Sequence, residues 1–227
     1  MNDRRELLFK LSVITHQFEK IRTYYGQISP MISDEKKRII DCNTELQKKL
    51  KEGSDETKDI DYDFYADDWY LSELIEKTFC NSVIITIYTI IEKNLNEVCI
   101  ILKEVKNIQE NYDKLEGQGV IRAKEYIEIF GGISFCTQDS NFLSGINAIR
   151  NVIAHNNGDL KNSSKLNLGK IKNISQKAPG CKIVKRDPYD GVVLKKTPKR
   201  IELELEFVEY CLTQSQSVFK NIFKQLA

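Results

Sequence analysis

Apolar residues recur every three or four positions along most of the chain, which is the period of an α-helix. The first repeat covers residues 7–25, and Pro30 follows it. Ser33 and Asp34 then offer an N-cap, and a second amphipathic helix is predicted as far as Leu50. The pattern therefore predicts an N-terminal helical hairpin over residues 1–52.

Residues 53–68 interrupt this pattern and are predicted to form an acidic connector. Gly53 and Ser54 break the helical repeat, and acidic residues follow at positions 55, 56, 59, 61, 63, 67 and 68. One interpretation is a solvated loop. The other is an acidic mimic that covers a basic surface of the same chain.

The longest apolar repeat predicts a helix from about Trp69 to Val105. Residues 83–91 are rich in β-branched side chains, which favour strands. The length of the repeat and the charged residues at its polar positions nevertheless favour a helix. A shorter helix is predicted over residues 120–130, with Gly131 and Gly132 ending it.

The next predicted helix begins at Asp139 or Ser140, either of which can act as an N-cap. It ends at Asn156-Asn157-Gly158, residues that tolerate the left-handed backbone found after helices. Five apolar residues at helical spacing form its predicted buried stripe: Phe142, Leu143, Ile146, Ile149 and Ile153.

The remainder is predicted to contain a β-hairpin and a final helix. Residues 159–180 are polar and are predicted to form a loop. Two short strands, 182–186 and 191–195, flank the turn signal Asp187-Pro188-Tyr189-Asp190. With a last helix from about Glu206, the fold class is all-α: a helical domain over residues 69–227 with a hairpin at about 182–196, before the last helix.

The composition is that of a soluble globular chain, with 41% hydrophobic and 30% charged residues. The apolar run at 83–91 is shorter than the roughly 20 residues of a membrane span. Charges also interrupt the first ten residues too early for a signal peptide. We therefore expect a cytoplasmic protein without a membrane partner.

The six cysteines are widely spaced and form no C-x-x-C pair, so we expect reduced thiols. Cys80 and Cys99 lie on apolar helical patterns and are expected in the core. A zinc site needs clustered ligands, and the chain has only two histidines, His16 and His155. No metal and no other cofactor is expected.

Positive charge is concentrated in residues 161–200. This segment has ten Lys and two Arg against Asp187 and Asp190, a local charge of +10, whereas the whole chain carries +1. A segment that contacts RNA phosphates has such a composition. A solubilising loop, or a surface that binds the acidic connector, has it as well. The candidate RNA-binding residues are Lys195, Lys196, Lys199 and Arg200.

The string Ile149-Arg150-Asn151-Val152-Ile153-Ala154-His155-Asn156 carries the candidate chemistry. Arginine presents a planar, permanently charged fork to phosphate oxygens. Histidine exchanges a proton near neutral pH, and the C-terminus of a helix favours its cationic form. The alternative interpretation makes Arg150 an ion-pair partner and His155 a capping residue.

Helix geometry separates these two side chains. Five steps of roughly 100° place Arg150 and His155 about 140° apart around a regular helix, whereas Asn151 and His155 share a face. A site that uses both therefore needs either a distorted last turn or a wide cleft shared between two copies of the helix.

The string resembles the signature of the HEPN superfamily (higher eukaryotes and prokaryotes nucleotide-binding domains). That signature is an Arg, then four to six residues of which the first is Asn, Asp or His, and then a His; Arg150, Asn151 and His155 match it. The helix that contains Tyr-Thr-Ile-Ile-Glu-Lys looks like the family helix that packs on the motif helix. The resemblance covers about residues 70–226. It implies Arg150, His155 and Asn151 as catalytic residues, with Glu92, Tyr88 and Asn156 in support.

Many proteins of that family are endoribonucleases, and bacterial members often act as toxins or phage-defence effectors. The resemblance implies a symmetric homodimer whose motifs meet, RNA cleavage by its own 2′-hydroxyl without metal, and an antitoxin or other defence protein as partner. Two other functions stay open: a non-catalytic module that binds RNA, nucleotide or protein, and a plain helical adaptor. Glu92 and Tyr88 have an alternative of their own, as solvated or paired surface groups.

Overall fold

The computed structural model describes residues 2–51, 62–185 and 199–226. In these ranges it is mostly helical, with a small antiparallel hairpin before the final helix, which confirms the coarse prediction. The elements in chain order are α1 (Asn2–Lys51), α2 (Tyr62–Val105), α3 (Gly119–Ile129), α4 (Thr137–Asn156), α5 (Lys165–Ser175), β1 (Cys181–Lys185), β2 (Lys199–Leu203) and α6 (Leu205–Leu226). A short 3₁₀ turn, Tyr112–Lys114, precedes α3.

Helix α2 is the centre of the core and packs against α1, α3, α4 and α6. Within its segment Leu74–Val105, an 18-residue window with a mean hydropathy of 1.4 is long and apolar enough to cross a membrane, a test that the core helix of a soluble protein passes as well. Cys80 and Cys99 are buried here, as predicted, and burial raises the pKa of each thiol to about 12. The other buried apolar residues of this segment are Val83, Ile84, Ile87, Tyr88, Ile91, Leu95, Val98 and Leu102.

The predicted N-terminal helical hairpin is wrong, because α1 is one helix that continues through Pro30. A proline inside a helix removes one hydrogen bond and costs roughly 3 kcal/mol. Packing offsets this cost, since one apolar stripe runs past the proline at seven-residue intervals. The stripe consists of Phe18, Tyr25, Ile32 and Ile39.

The predicted connector ends earlier than expected. Residues 62–68 already belong to α2, so the long helix starts at Tyr62 and not at Trp69. Acidic residues are compatible with this position, because the helix dipole favours negative charge near an N-terminus. Residues 52–61, which carry the rest of the connector, lie outside the described residues.

The loop predicted over residues 159–180 contains a helix, α5. Ser164 caps this helix by accepting a hydrogen bond from the Asn167 amide. Ile171 and Ile174 are its only buried side chains, and Ile174 packs closely over Gly145 of α4. A periodicity analysis misses such a short helix because two buried residues give too little signal.

The two strands of the hairpin are further apart in sequence than predicted, because the second strand begins at Lys199 and not at residue 191. Strand β1 begins at Cys181 and pairs antiparallel with β2, with Ile183 opposite Ile201. The predicted second strand, 191–195, and the predicted turn, 187–190, lie outside the described residues. Buried Ile201 and Leu203 account for the alternating apolar pattern just before the last helix.

Candidate functional site

Helix α4 carries the motif, and capping residues mark where it begins and ends. Its N-cap is Cys136, whose thiol accepts a hydrogen bond from the Asp139 amide, so the predicted caps Asp139 and Ser140 are wrong. Asp139 is instead buried, where it accepts a hydrogen bond from Asn221. At the other end Asn157 has φ +47° and Gly158 has φ +84°, which confirms the predicted left-handed ending.

A cleft of about 360 Å³ lies between α2, the start of α3 and α4. It brings together four of the predicted site residues: Arg150 and Asn151 from α4, and Tyr88 and Glu92 from α2. The loop that precedes α3 also lines the cleft, through Gly117 and Gln118. The remaining lining residues are Gly119, Ile121 and Asn147.

Arg150 is held at the cleft by two neighbours. Its guanidinium carbon lies 5.2 Å from the centroid of the Tyr88 ring, within the range of a cation–π interaction. Its Nη1 donates a hydrogen bond of 3.0 Å to Asn151 Oδ1. Within the part of the chain that the structure describes, the guanidinium makes no other hydrogen bond, so its remaining N–H groups can bind an anion such as phosphate.

Tyr88 supports the floor of the cleft and is 3% exposed. Its hydroxyl donates a hydrogen bond of 2.8 Å to Asn147 Oδ1. Burial and the carboxylate of Glu92 raise the pKa of this phenol, while the Val120 backbone N–H, which can donate to the phenol oxygen, and the charge of Arg150 act in the opposite direction. The hydroxyl therefore stays protonated at neutral pH and acts as a donor that orients Asn147.

His155 does not line this cleft. It is exposed in the last turn of α4, and among the described residues no hydrogen bond or ion pair involves it. The helix stays α-helical through Asn156, so its last turn is not distorted. Arg150 and His155 of one copy therefore point in different directions. Asn156 is half-buried beyond the cleft, where its carbonyl accepts a hydrogen bond from the Asp159 amide.

Two predicted RNA-binding residues lie beside the His155 end of α4. The Ile201 amide of β2 donates to the Gly158 carbonyl, and the Lys199 carbonyl accepts from the Leu160 amide, both at 2.9 Å. Arg200 donates to the carbonyl of Asn157 at 3.4 Å. Backbone pairing therefore places the Lys199 and Arg200 positions next to the end of the motif. Lys195 and Lys196 lie outside the described residues.

The rest of the described positive charge is spread over α5, β1 and the turns on either side of α5. Lys161, Lys165, Lys172, Lys177 and Lys185 are exposed. Lys182 is exposed as well but forms an ion pair with Glu204. Much of the described basic segment is therefore regular structure that packs on or beside α4, and not a loop.

Sequence analysis missed Asn147 and Gly119 as members of the site. The spacing offered a signal for Asn147, since it lies three residues before Arg150 and four before Asn151, on the same helix face. Gly119 could not be assigned from sequence, because its role depends on a tertiary contact. With φ +58°, it begins α3 against the Tyr88 hydroxyl, where a Cβ would overlap the phenol oxygen.

We expect Gly119→Ala to distort the cleft. The added methyl would meet Tyr88 and lie 3.2 Å from Glu92 Oε1, and the positive φ disfavours any other residue. The free energy of unfolding should fall by about 1–3 kcal/mol, measured by urea denaturation. Gly169→Ala is the matched control, because nothing lies within 4 Å of its added Cβ. It lies inside α5 and should stabilise by up to about 1 kcal/mol. Equal effects of the two substitutions would contradict this packing.

Among the described residues no three His, Cys, Asp or Glu side chains cluster as a metal site would require. No family model, curated protein or solved structure matches this chain.

Proposed function

We propose that the protein is a HEPN-type endoribonuclease that cleaves RNA through the RNA's own 2′-hydroxyl, without metal. The observation that carries this proposal is the placement of Arg150 in a polar cleft, followed along the same helix by an exposed His155. This reaction requires a group that binds the phosphate and a group that transfers a proton. Arginine and histidine are the residue types that meet these two requirements.

In the proposed reaction the 2′-oxygen attacks the adjacent phosphorus and the 5′-oxygen of the next nucleotide leaves. Arg150 stabilises the extra negative charge that develops on the phosphate oxygens. The 2′-hydroxyl loses one proton and the leaving 5′-oxygen gains one; His155 carries out one of these two transfers and water the other. The products are a 2′,3′-cyclic phosphate on one fragment and a 5′-hydroxyl on the other.

We further propose that two copies of α4 form the site as a two-fold symmetric dimer. Arg150 and His155 diverge on a regular helix, so a second copy is the direct way to bring an arginine and a histidine to one phosphate. The exposed position of His155 leaves it accessible to such a partner.

The proposed RNA path continues along the basic surface beside the motif. If Lys199 and Arg200 contact phosphates, Lys199→Gln/Arg200→Gln should weaken binding to all RNA sequences alike. The salt slope of binding should flatten by about 0.7–0.9 for each phosphate that the variant no longer neutralises. Filter binding at several salt concentrations measures both quantities. The cleavage rate at saturating RNA should be unchanged, because the substitutions weaken the bound substrate and the transition state equally.

A matched control removes the same charge elsewhere. Lys220 and Lys224 are exposed near the far end of α6, roughly 20 Å or more along that helix from β2. Lys220→Gln/Lys224→Gln should leave RNA affinity and its salt slope close to wild type. Equal effects of the two double variants would mean that net charge alone governs binding. The same test applies to Lys195 and Lys196.

A second function is a non-catalytic module that binds RNA, nucleotide or a protein. One observation favours it: within a single copy His155 does not line the cleft that holds Arg150, so that copy alone does not bring the two side chains together. RNA binding without any cleavage would select this function.

As a nuclease, the protein would fit a cytoplasmic toxin or phage-defence effector that an inhibitor protein restrains. Induction of the wild-type chain in bacteria should then stop growth and degrade RNA, while an equal amount of His155→Ala protein should not. Growth arrest by both forms would show that the toxicity does not depend on the proposed chemistry.

A further inference from the structure

The cleft contains one carboxylate that the proposed reaction does not use. Glu92 lies one turn after Tyr88 on α2, is half-buried and lines the cleft under Gly119. Among the described residues it accepts no hydrogen bond and forms no ion pair, although the first turn of α3 begins beside it. A partly buried carboxylate without a donor is costly, so a ligand that supplies donors gains binding energy there.

Two other polar side chains of the cleft, those of Asn147 and Asn151, present donors to it. Asn147 Oδ1 accepts from the Tyr88 hydroxyl, and Asn151 Oδ1 accepts from Arg150. Both amide oxygens are therefore engaged, and each NH₂ group remains without a hydrogen bond among the described residues. The side chains thus offer a ligand one two-oxygen acceptor, Glu92 on α2, and amide donors on α4 that line the same cleft.

We propose that this cleft binds a guanine base of the RNA, with Glu92 accepting hydrogen bonds from the guanine N1–H and N2 amino groups. Guanine is the only one of the four bases with two adjacent donors on its Watson–Crick edge. Adenine and cytosine present a donor beside an acceptor, and uracil has one donor between two acceptors. A carboxylate that can only accept hydrogen bonds discriminates against all three.

The remaining groups of the cleft suit the same base. The amide groups of Asn147 and Asn151 can donate to the guanine O6, and Ile121 supplies an apolar surface. Single-stranded bases are commonly recognised in this way, splayed out of the strand and bound along their Watson–Crick edge. The volume of about 360 Å³ lies in the range of small-ligand pockets. Arg150 in the same wall would hold the adjoining phosphate.

This inference rests on the proposed function, but nucleotide binding tests it separately from cleavage. Guanosine, inosine and adenosine 3′-monophosphates should be titrated into the full-length wild-type protein and the Glu92→Gln variant, with NMR or calorimetry as the readout. Inosine lacks only the N2 amino group, and adenosine also replaces N1–H by an acceptor. Hydrogen bonds to charged groups are each worth about tenfold or more in affinity, so the order should be guanosine, then inosine, then adenosine.

Glu92→Gln should lower guanosine monophosphate affinity about tenfold or more and leave adenosine monophosphate unchanged, because it replaces one acceptor with a donor. Glu97→Gln is the matched control, since Glu97 is exposed on the same helix. Equal wild-type affinities for guanosine and adenosine monophosphates, or no effect of Glu92→Gln, would overturn the guanine site.

Cleavage mapping gives the second readout. The wild-type protein should cut beside guanine, and Glu92→Gln should cut with that preference reduced. If the protein binds guanosine monophosphate but cleaves RNA without preference for guanine, the cleft does not bind a guanine base of the RNA substrate. Specific guanosine monophosphate binding without cleavage of any RNA would support the base site and overturn the nuclease function. A Glu92→Gln variant that slows cleavage at all positions equally, with nucleotide affinities unchanged, would show that Glu92 does not read the base.

Discussion

Arg150→Ala and His155→Ala should each reduce RNA cleavage to near background while the protein stays folded. Loss of a preorganised charge donor costs about 10²–10³ in rate, and loss of a general acid or base costs about 10²–10⁴. Folding should survive, because His155 is exposed and the contact of the half-buried Arg150 with Tyr88 is worth about 0.5–2 kcal/mol, a small part of a domain's stability. Single-turnover cleavage of a labelled RNA, with thermal unfolding in parallel, measures both effects.

Arg150→Lys is the informative companion variant. Lysine keeps the positive charge but lacks the planar fork that binds two phosphate oxygens and donates to Asn151. It should therefore stay well below wild-type activity. Wild-type rates in both alanine variants would show that these residues are not catalytic, and full activity of Arg150→Lys would mean that a point charge is sufficient.

Mixing the two inactive variants should restore activity. If each site combines Arg150 of one copy with His155 of the other, an Arg150→Ala/His155→Ala heterodimer keeps one intact site of two. Random exchange makes about half of the dimers mixed, so about a quarter of wild-type activity should return. The two proteins should be mixed, briefly destabilised to allow exchange, and assayed with the same RNA.

The control for this experiment is the chain that carries both substitutions. Mixed with either single variant, it cannot assemble an intact pair of Arg150 and His155, so no activity should return. Light scattering at the assay concentration should report a dimer. No recovery from exchanged single variants, or an active sample that is entirely monomeric, would contradict the shared site.

The sequence predicted the parts of the fold that have long apolar repeats. Helices α2, α4 and α6 each bury several residues at helical spacing, so their periodicity outweighs local propensity, even across the β-branched residues 83–91. Pro30 misled the prediction because the packing that stabilises α1 on both sides of it comes from distant helices. Helix α5 was missed because it has two buried residues in eleven.

The site was predictable only in part, for a similar reason. The motif pointed to Arg150, Asn151 and His155 because its residue types and spacing are local features of the chain. The contact of Tyr88 with both Arg150 and Asn147, and the closure by Gly119, join three helices and depend on tertiary packing. Sequence alone placed Arg150 and His155 on different faces of α4, and the regular helix agrees with that geometry.

The central claim is metal-independent cleavage that uses the RNA 2′-hydroxyl and His155. Its most direct measurement incubates wild-type and His155→Ala protein with a defined RNA in excess chelator, and then identifies the fragment ends by mass spectrometry. We expect wild-type fragments with a 2′,3′-cyclic phosphate and a 5′-hydroxyl, no cleavage of the matching DNA, and no fragments from His155→Ala. Cleavage that requires added magnesium, cuts DNA equally, or persists in His155→Ala would contradict this account.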